Sequence, residues 1–254
     1  MELLKKYAAS LGIELSDGQL SQFKKYYELL VEWNGFMNLT AITEFDEVML
    51  KHFADSIAII KGVDNNIIND ICNTGKSVSM IDVGTGAGFP SLPLKIVYPQ
   101  IKLTMLDSLN KRINFLNEVI SQLGLKDVEA IHGRAEEYAA PGKLREKFDI
   151  GVSRAVANLS TLSEYCLPYI KEGGIFVAYK SEELLKYKSD DNGLSEKDNA
   201  ANAIKVLGGK IENIVEYDLC DEGLYRCLCV IKKERPTPKR YPRKAGLPAK
   251  EPIK

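Results

Sequence analysis

The run from Ile81 to Pro90, IDVGTGAGFP, decides how this chain is read. Apolar residues of strand character lead into three glycines at every second position, and Pro90 suits the start of a helix. Glycine lets the backbone adopt positive φ and approach a bound group closely, and amides at a helix start offer donors. In an open α/β sheet, a ligand sits at such a strand-to-helix turn. The spacing argues against two common occupants. A dinucleotide fingerprint needs G-x-G-x-x-G, but Phe89 holds the place of the third glycine. A triphosphate loop needs G-x-x-x-x-G-K-[ST]. The tempting TGKS at Thr74 to Ser77 has Asp70 where the earlier glycine belongs, and it precedes the strand.

Two carboxylates narrow the choice. Asp82 opens the glycine loop, where it disfavours a pyrophosphate and suits a cationic or neutral ligand. Asp107 ends the next apolar run, KLTMLD, where a carboxylate is placed to accept both hydroxyls of a ribose. DVGTGAG followed by LD is the pattern of Rossmann-like methyltransferases that use S-adenosylmethionine, a ligand with a sulfonium and no phosphate. Asp82, Gly84, Gly86, Gly88 and Asp107 are therefore expected to bind the cofactor.

Around this loop the chain divides into three parts. Residues 1–75 read as a helical N-terminal extension. SDGQLSQFKKYYELLVEWNGFMN starts with Ser16 and Asp17 as candidate caps and repeats Leu20, Phe23, Tyr27, Leu30 and Trp33 or Asn34 at helical spacing. FDEVMLKHFADSIAII places Val48, Phe53, Ile57 and Ile60 on one helical face. Residues 76–235 alternate short apolar runs with amphipathic stretches, such as Leu109 to Leu123, which predicts βαβ units and a mostly parallel sheet. The runs are VSMIDV, KLTMLD, VEAIH, FDIGVS, GIFVAYK, KIENIVEYDL and YRCLCVIKK. Only CDEG joins the last two, so they are expected to form an antiparallel hairpin. The fold class is thus α/β: a Rossmann-like class I methyltransferase with a seven-stranded sheet and a terminal hairpin. Residues 236–254 hold five prolines in the last 20 residues of the chain, counted from Arg235, and read as an extended, linker-like tail.

Composition adds bounds. With 254 residues, 45% of them hydrophobic and 27% charged, the chain can bury a sizeable core without disulfide or metal staples. Its five cysteines (Cys72, Cys166, Cys220, Cys227 and Cys229) form no CxxC pair, which predicts small buried hydrophobes and no metal site. No run reaches the length of a membrane span, and MELLKKYAASLGIEL lacks the apolar core of a signal peptide, so a cytoplasmic location is expected. The net charge of −1 hides an asymmetry: Lys232 to Lys254 carries +7 and the rest −8. A basic end on an acidic body suggests a polyanion partner.

These stretches are similar to one family, the bacterial small-subunit rRNA (guanine-N7)-methyltransferases, also called glucose-inhibited division protein B. The resemblance is carried by WNGFMNLTAI, KHFADSI, IDVGTGAGFPSLPLKI, MLDSLNKRINFL, GRAEE, VSRAVANL and PRKAGLP, in the family's order along nearly the whole chain. Ser91 after GFP departs from the family's common glycine, and the polar segment from Lys186 to Asp198 reads as a local insertion. The resemblance implies methylation of N7 of one guanine in the 530 loop of 16S rRNA. It also implies that Gly84, Phe89, Ala135, Glu136 and Arg154 contact S-adenosylmethionine. Guanine N7 has an exposed lone pair, so no general base is required and no catalytic residue is assigned.

The expected partner is 16S rRNA or the small ribosomal subunit, with no membrane and no obligatory protein partner. Candidate RNA contacts are Arg134, His132 and Lys180 at strand ends, and Lys239, Arg240, Tyr241, Arg243 and Lys244 in the tail. His52 is expected to pack or cap a helix. A binding-only ribosome assembly factor, or a methyltransferase of another substrate, are the alternatives.

Overall fold

The computed structural model describes residues 1–63, 77–187, 193–219 and 223–254. The seven apolar runs form seven strands among these residues: β1 (Ser79–Val83), β2 (Lys102–Asp107), β3 (Val128–His132), β4 (Phe148–Arg154), β5 (Ile170–Ser181), β6 (Gly209–Asp218) and β7 (Tyr225–Lys233). They make one sheet in the order β3-β2-β1-β4-β5-β7-β6. Strands β1 to β5 pair in parallel, and β7 runs antiparallel to both β5 and β6. The chain winds outward from β1 to β3 and then returns to β4 on the other side. This reversal leaves a crevice at the carboxyl ends of β1 and β4.

Helices cover both faces of the sheet, which is why the middle of β1 and of β4 is buried, with Met80, Ile81, Ile150 and Val152 almost fully enclosed. Helices α1 (Glu2–Ser10), α2 (Asp17–Met37), α5 (Ser91–Val97) and α6 (Asn110–Gln122) share one cluster with the sheet, including Leu4, Phe23, Leu92 and Phe115. A second cluster joins α8 (Leu159–Cys166) and α9 (Glu196–Val206) to the other face. Cys166, Cys227 and Cys229 are buried in it as expected. Cys72, Cys220, the TGKS residues 74–76 and the expected boundary at 75 lie outside the described residues.

Two N-terminal features differ from the helical periodicity. Ser16 does cap α2, in a reciprocal pair with Gln19. The buried stripe, however, runs through Phe23, Tyr26, Leu29 and Leu30, while Tyr27 is only half-buried. Tyr26 wins the core position because its hydroxyl reaches beneath the glycine loop and donates to the Ala87 carbonyl. The stretch expected as one helix is split: α3 (Phe45–Val48), a π-helical turn (Met49–Ala54), α4 (Asp55–Ile57) and a 3₁₀ turn (Ala58–Lys61). Val48, Phe53 and Ile57 are buried as expected. His52 lies in the π turn and Asp55 follows it directly, and such turns recur at functional sites.

The last segment corrects the expectation of a linker-like tail, because residues 236–254 lie against the body. Arg145 donates to the carbonyls of Thr237, Pro238 and Tyr241, and the Thr237 amide donates to Glu146. Arg243 pairs with Glu164 at 2.6 Å, the Gly246 amide donates to Glu136 at 2.8 Å, and Thr161 donates to the Pro248 carbonyl at 3.0 Å. Prolines forbid a regular ladder but leave fewer amides needing partners. The exposed carbonyls then find donors on the body. A short helix, α10 (Leu247–Lys250), lies near the end.

Candidate cofactor and substrate site

The glycine loop is held from three sides. The amides of Gly84 and Thr85 donate to the Leu106 carbonyl at the end of β2. Gly84 and Gly88 are close-packed: a Cβ on Gly84 would meet Val156 at 2.6 Å, and one on Gly88 would meet Leu92 at 2.5 Å. Gly86, at φ +62°, faces open space and is the one of the three whose backbone a ligand can approach freely. Gly84 and Gly86 line the cleft described below, whereas Gly88 packs against Leu92 and Tyr26 behind it.

Asp82 also lies behind the loop. It is fully buried at the end of β1 and accepts from the Ser91 hydroxyl at 2.6 Å. It borders neither the cleft nor its annex, so its place beside a ligand is corrected to a support beneath the loop. Ser91, the residue that departs from the family's glycine, supplies the hydrogen bond this buried carboxyl needs. Burial pushes the Asp82 carboxyl up to about 7. The folded state therefore holds a proton that the unfolded chain releases above pH 3.8, so stability should fall as pH rises from about 4 to 7. Asp82→Asn should flatten that decline, an effect on the order of 4 kcal/mol in thermal or urea melts compared across this window. Parallel wild-type and variant curves would rule this out.

Asp107 is 2% exposed, and both its oxygens have partners. It accepts from the amides of Gly86 and Leu109, each at 2.9 Å, and from Arg112 at 3.2 Å. The carboxylate expected to hold a ribose thus also ties the loop to β2, with Arg112 lying over it. The two amides are fixed by the backbone. Arg112, with 34% of its side chain exposed, is the partner that can be replaced.

Above the loop lies a cleft of about 750 Å³. One wall comprises Gly84 to Ala87, Phe89 and the residues after β4. A second wall comes from the N-terminal region: Leu39, Thr40, Ile42, Lys51, His52 and Asp55. A smaller annex of about 140 Å³ opens between Gly84, Asp107 and the start of α7 (Ala135–Tyr138), and contains Arg134, Ala135, Glu136 and Tyr165. Ala155, beside the cleft, has φ +58°, a strained conformation for a non-glycine residue of the kind concentrated at functional sites.

Arg154 joins the two walls. Its guanidinium donates to Asp55 at 2.7 Å, to the Lys51 carbonyl at 3.2 Å and to His52 Nδ1 at 3.3 Å, and it lies 5.1 Å from the Phe89 ring centre. Asp55 is 3% exposed and is also approached by Arg226 at 3.4 Å and Tyr217 at 3.3 Å. His52 stacks on Phe89 with centroids 4.5 Å apart. Burial, and secondarily the Arg154 charge, push the histidine down to about 3, so the ring is neutral at physiological pH. Its role exceeds the helix packing expected from sequence. Asp55, Thr40 and Arg226 were missed as site residues. Thr40 and Asp55 lie in the stretches that carry the family resemblance, but that Asp55 meets Arg226 and Thr40 meets His52 is set by the fold.

The RNA candidates scatter. His132 and Arg134 are exposed near the annex; the His132 ring bonds the Ser108 carbonyl at 3.1 Å. Lys180 lines the cleft but is tied to Glu196 at 2.6 Å. Lys239, Arg240 and Lys244 are exposed, and Arg240 lies over Tyr241. Tyr241 is half-buried against the core, and Arg243 is committed to Glu164. Neither of those two is a free RNA-arm residue in this structure, contrary to the expectation for the tail.

Comparison with known proteins matches this arrangement. A family model described as rRNA small subunit methyltransferase G (GidB) matches residues 19–215. A protein named ribosomal RNA small subunit methyltransferase G from Lachnoclostridium phytofermentans is 51% identical over 96% of this chain and 93% of its own length. Proteins of the same name from Acetivibrio thermocellus and Clostridium botulinum are 48% and 45% identical, each over 99% of this chain and over 96% and 98% of their own lengths. Among solved structures, a putative sarcosine dimethylglycine methyltransferase from Galdieria sulphuraria superposes with a TM-score of 0.53 at 12% identity, over 75% of this chain and 88% of the other. The [4+2]-cyclase SpnF superposes at 0.51 with 14% identity, over 71% and 81%. The second carries a different activity on this architecture, so these structures speak to the fold alone. The sequence relatives carry more, because they match nearly the whole chain at 45–51% identity: the chain belongs to the rRNA small subunit methyltransferase G (GidB) family.

Proposed function

We propose that this protein transfers a methyl group from S-adenosylmethionine to N7 of a guanine in the 530 loop of 16S ribosomal RNA, acting on the RNA or the small subunit in the cytoplasm. One observation carries the reading: a cleft of about 750 Å³ is lined by the open backbone of Gly86, by Thr40 and His52 of the N-terminal region, and by the anchored Arg154 that joins its walls. Its size falls in the range of about 300–1,000 Å³ usual for small-molecule sites. Gly84, Gly86, Phe89, Asp107, Ala135, Glu136 and Arg154 are the residues that would hold the donor, across the cleft and its annex. A ribose reaching Asp107 would take the place of Arg112.

Bound there, S-adenosylmethionine supplies an electrophilic methyl on a sulfonium. The chain's own contribution is placement. Arg154 is fixed by Asp55 and His52 and lines the cleft, where a guanidinium suits a carboxylate. Guanine N7 offers a lone pair with no proton to remove, so aligning the base is the main task, and good alignment can be worth roughly 7–11 kcal/mol.

The test is transfer of labelled methyl to small subunits and to naked 16S rRNA from cells lacking the modification, with tRNA as control and nucleosides mapped by mass spectrometry. A single 7-methylguanosine in the 530 loop is expected. Cofactor binding without transfer to any RNA would replace this reading with a binding-only assembly role or another substrate.

A further inference from the structure

The N-terminal wall of the cleft holds a hydrogen-bond chain whose directions follow from its arginine end. Arginine only donates, so His52 Nδ1, 3.3 Å from Arg154 Nη2, accepts. The neutral ring therefore carries its proton on Nε2, which donates to Thr40 Oγ1 at 2.8 Å. The Ile42 amide donates to the same oxygen at 3.0 Å. Both lone pairs of the hydroxyl are then filled, and its own proton is what Thr40 offers to the cleft it borders. The residue is held in place twice more: its amide donates to Asn34 Oδ1 at 2.9 Å, and His52 is pinned by stacking on Phe89 of the glycine loop. Three cationic side chains nearby already have acidic partners, Arg154 and Arg226 at Asp55 and Lys180 at Glu196.

On its major-groove edge guanine presents two acceptors, N7 and O6, whereas adenine presents N7 and the N6 amino donor. With N7 left free for the methyl group, O6 is the acceptor by which this edge can be told from adenine. We infer that the Thr40 hydroxyl donates to O6 of the target guanine and is the residue that selects guanine at the methylated position. This rests on the function proposed above. A fixed donor facing an adenine amino group would leave two donors unpaired, which disfavours that base.

The test uses small subunits reconstituted with 16S RNA carrying guanosine, inosine or 2-aminopurine at the target position. Inosine keeps O6 and 2-aminopurine lacks it. Thr40→Val should lower kcat/KM on guanosine and inosine by about 10- to 100-fold. On 2-aminopurine the variant should lose at least about 10-fold less than on guanosine, because the O6 partner is already missing and only the acceptor that valine also takes from His52 and Ile42 is lost. Thr40→Ser should restore the guanosine rate. Thr40→Cys, a similar shape with a weaker donor, should fall between and serves if the valine variant is unstable. A structural role for Thr40 would instead lower all three substrates by one factor. That result, or full activity of Thr40→Val on guanosine, would overturn the inference while the wild type remained active. Absence of wild-type transfer to the guanosine substrate would mark failure of the underlying function.

Discussion

Arg154→Ala should cost about 3–5 kcal/mol of stability and lower methyl transfer by about a hundredfold or more. An exposed ion pair would be worth at most about 1 kcal/mol, so burial decides the size of the effect. Here the side chains of Arg154 and Asp55 are 15% and 5% exposed. Without the guanidinium, Asp55 keeps a long contact to Arg226 at 3.4 Å and one to Tyr217 at 3.3 Å. The Lys51 carbonyl and His52 Nδ1 also lose their donor, and the wall holding Thr40 loosens. Arg154→Lys should recover little, since one ammonium cannot match a planar fork serving three acceptors. Urea denaturation and cofactor titration would measure both losses. A destabilisation below 1 kcal/mol with normal cofactor affinity would mean that the two walls are not coupled through this residue.

Arg243→Ala should be nearly as damaging, although it lies in a segment that reads as a tail. It would strand Glu164, which is fully buried and held by both the backbone and the side chain of Arg243. Removing one partner of a buried pair costs about 3–5 kcal/mol. The same segment gives Glu136 its Gly246 amide, so truncating residues 236–254 should also weaken cofactor binding at the annex. By contrast, replacing Lys239, Arg240 and Lys244 together with alanine should leave the melting curve unchanged. If those three contact phosphates, that change should remove a salt slope of about −2 from RNA binding, at about −0.7 per phosphate. Counting Arg243 as a fourth contact would give about −2.8. A truncated protein that melts and binds cofactor normally would show that the segment contributes little to the folded body.

Much of this molecule was legible along the chain. The strands were visible because β1 and its neighbours are buried on both faces and read as short apolar runs. The hairpin was visible because four residues cannot hold a crossover helix. The glycine loop was legible as a candidate site because such a turn between strand and helix has few other uses, but the sequence did not single out Gly86, which borders the cleft, from Gly88, which packs behind it. Asp82 was misplaced because a carboxylate next to a glycine loop looks the same in sequence whether it faces the ligand or props the loop from behind.

The sequence by itself determined the sheet, the loop at its switch point and the family, since these rest on local periodicity, glycine spacing and motifs in a fixed order. Only the tertiary structure decided which groups face one another. The buried Asp55 cluster, the directed chain from Arg154 through His52 to Thr40, and the docking of Arg243 on Glu164 join residues 12 to 171 positions apart. Composition showed the C-terminal segment's positive charge and its prolines. It could not show that the charge of Arg243 is neutralised by a buried acid, because pairing depends on which surfaces the fold brings into contact.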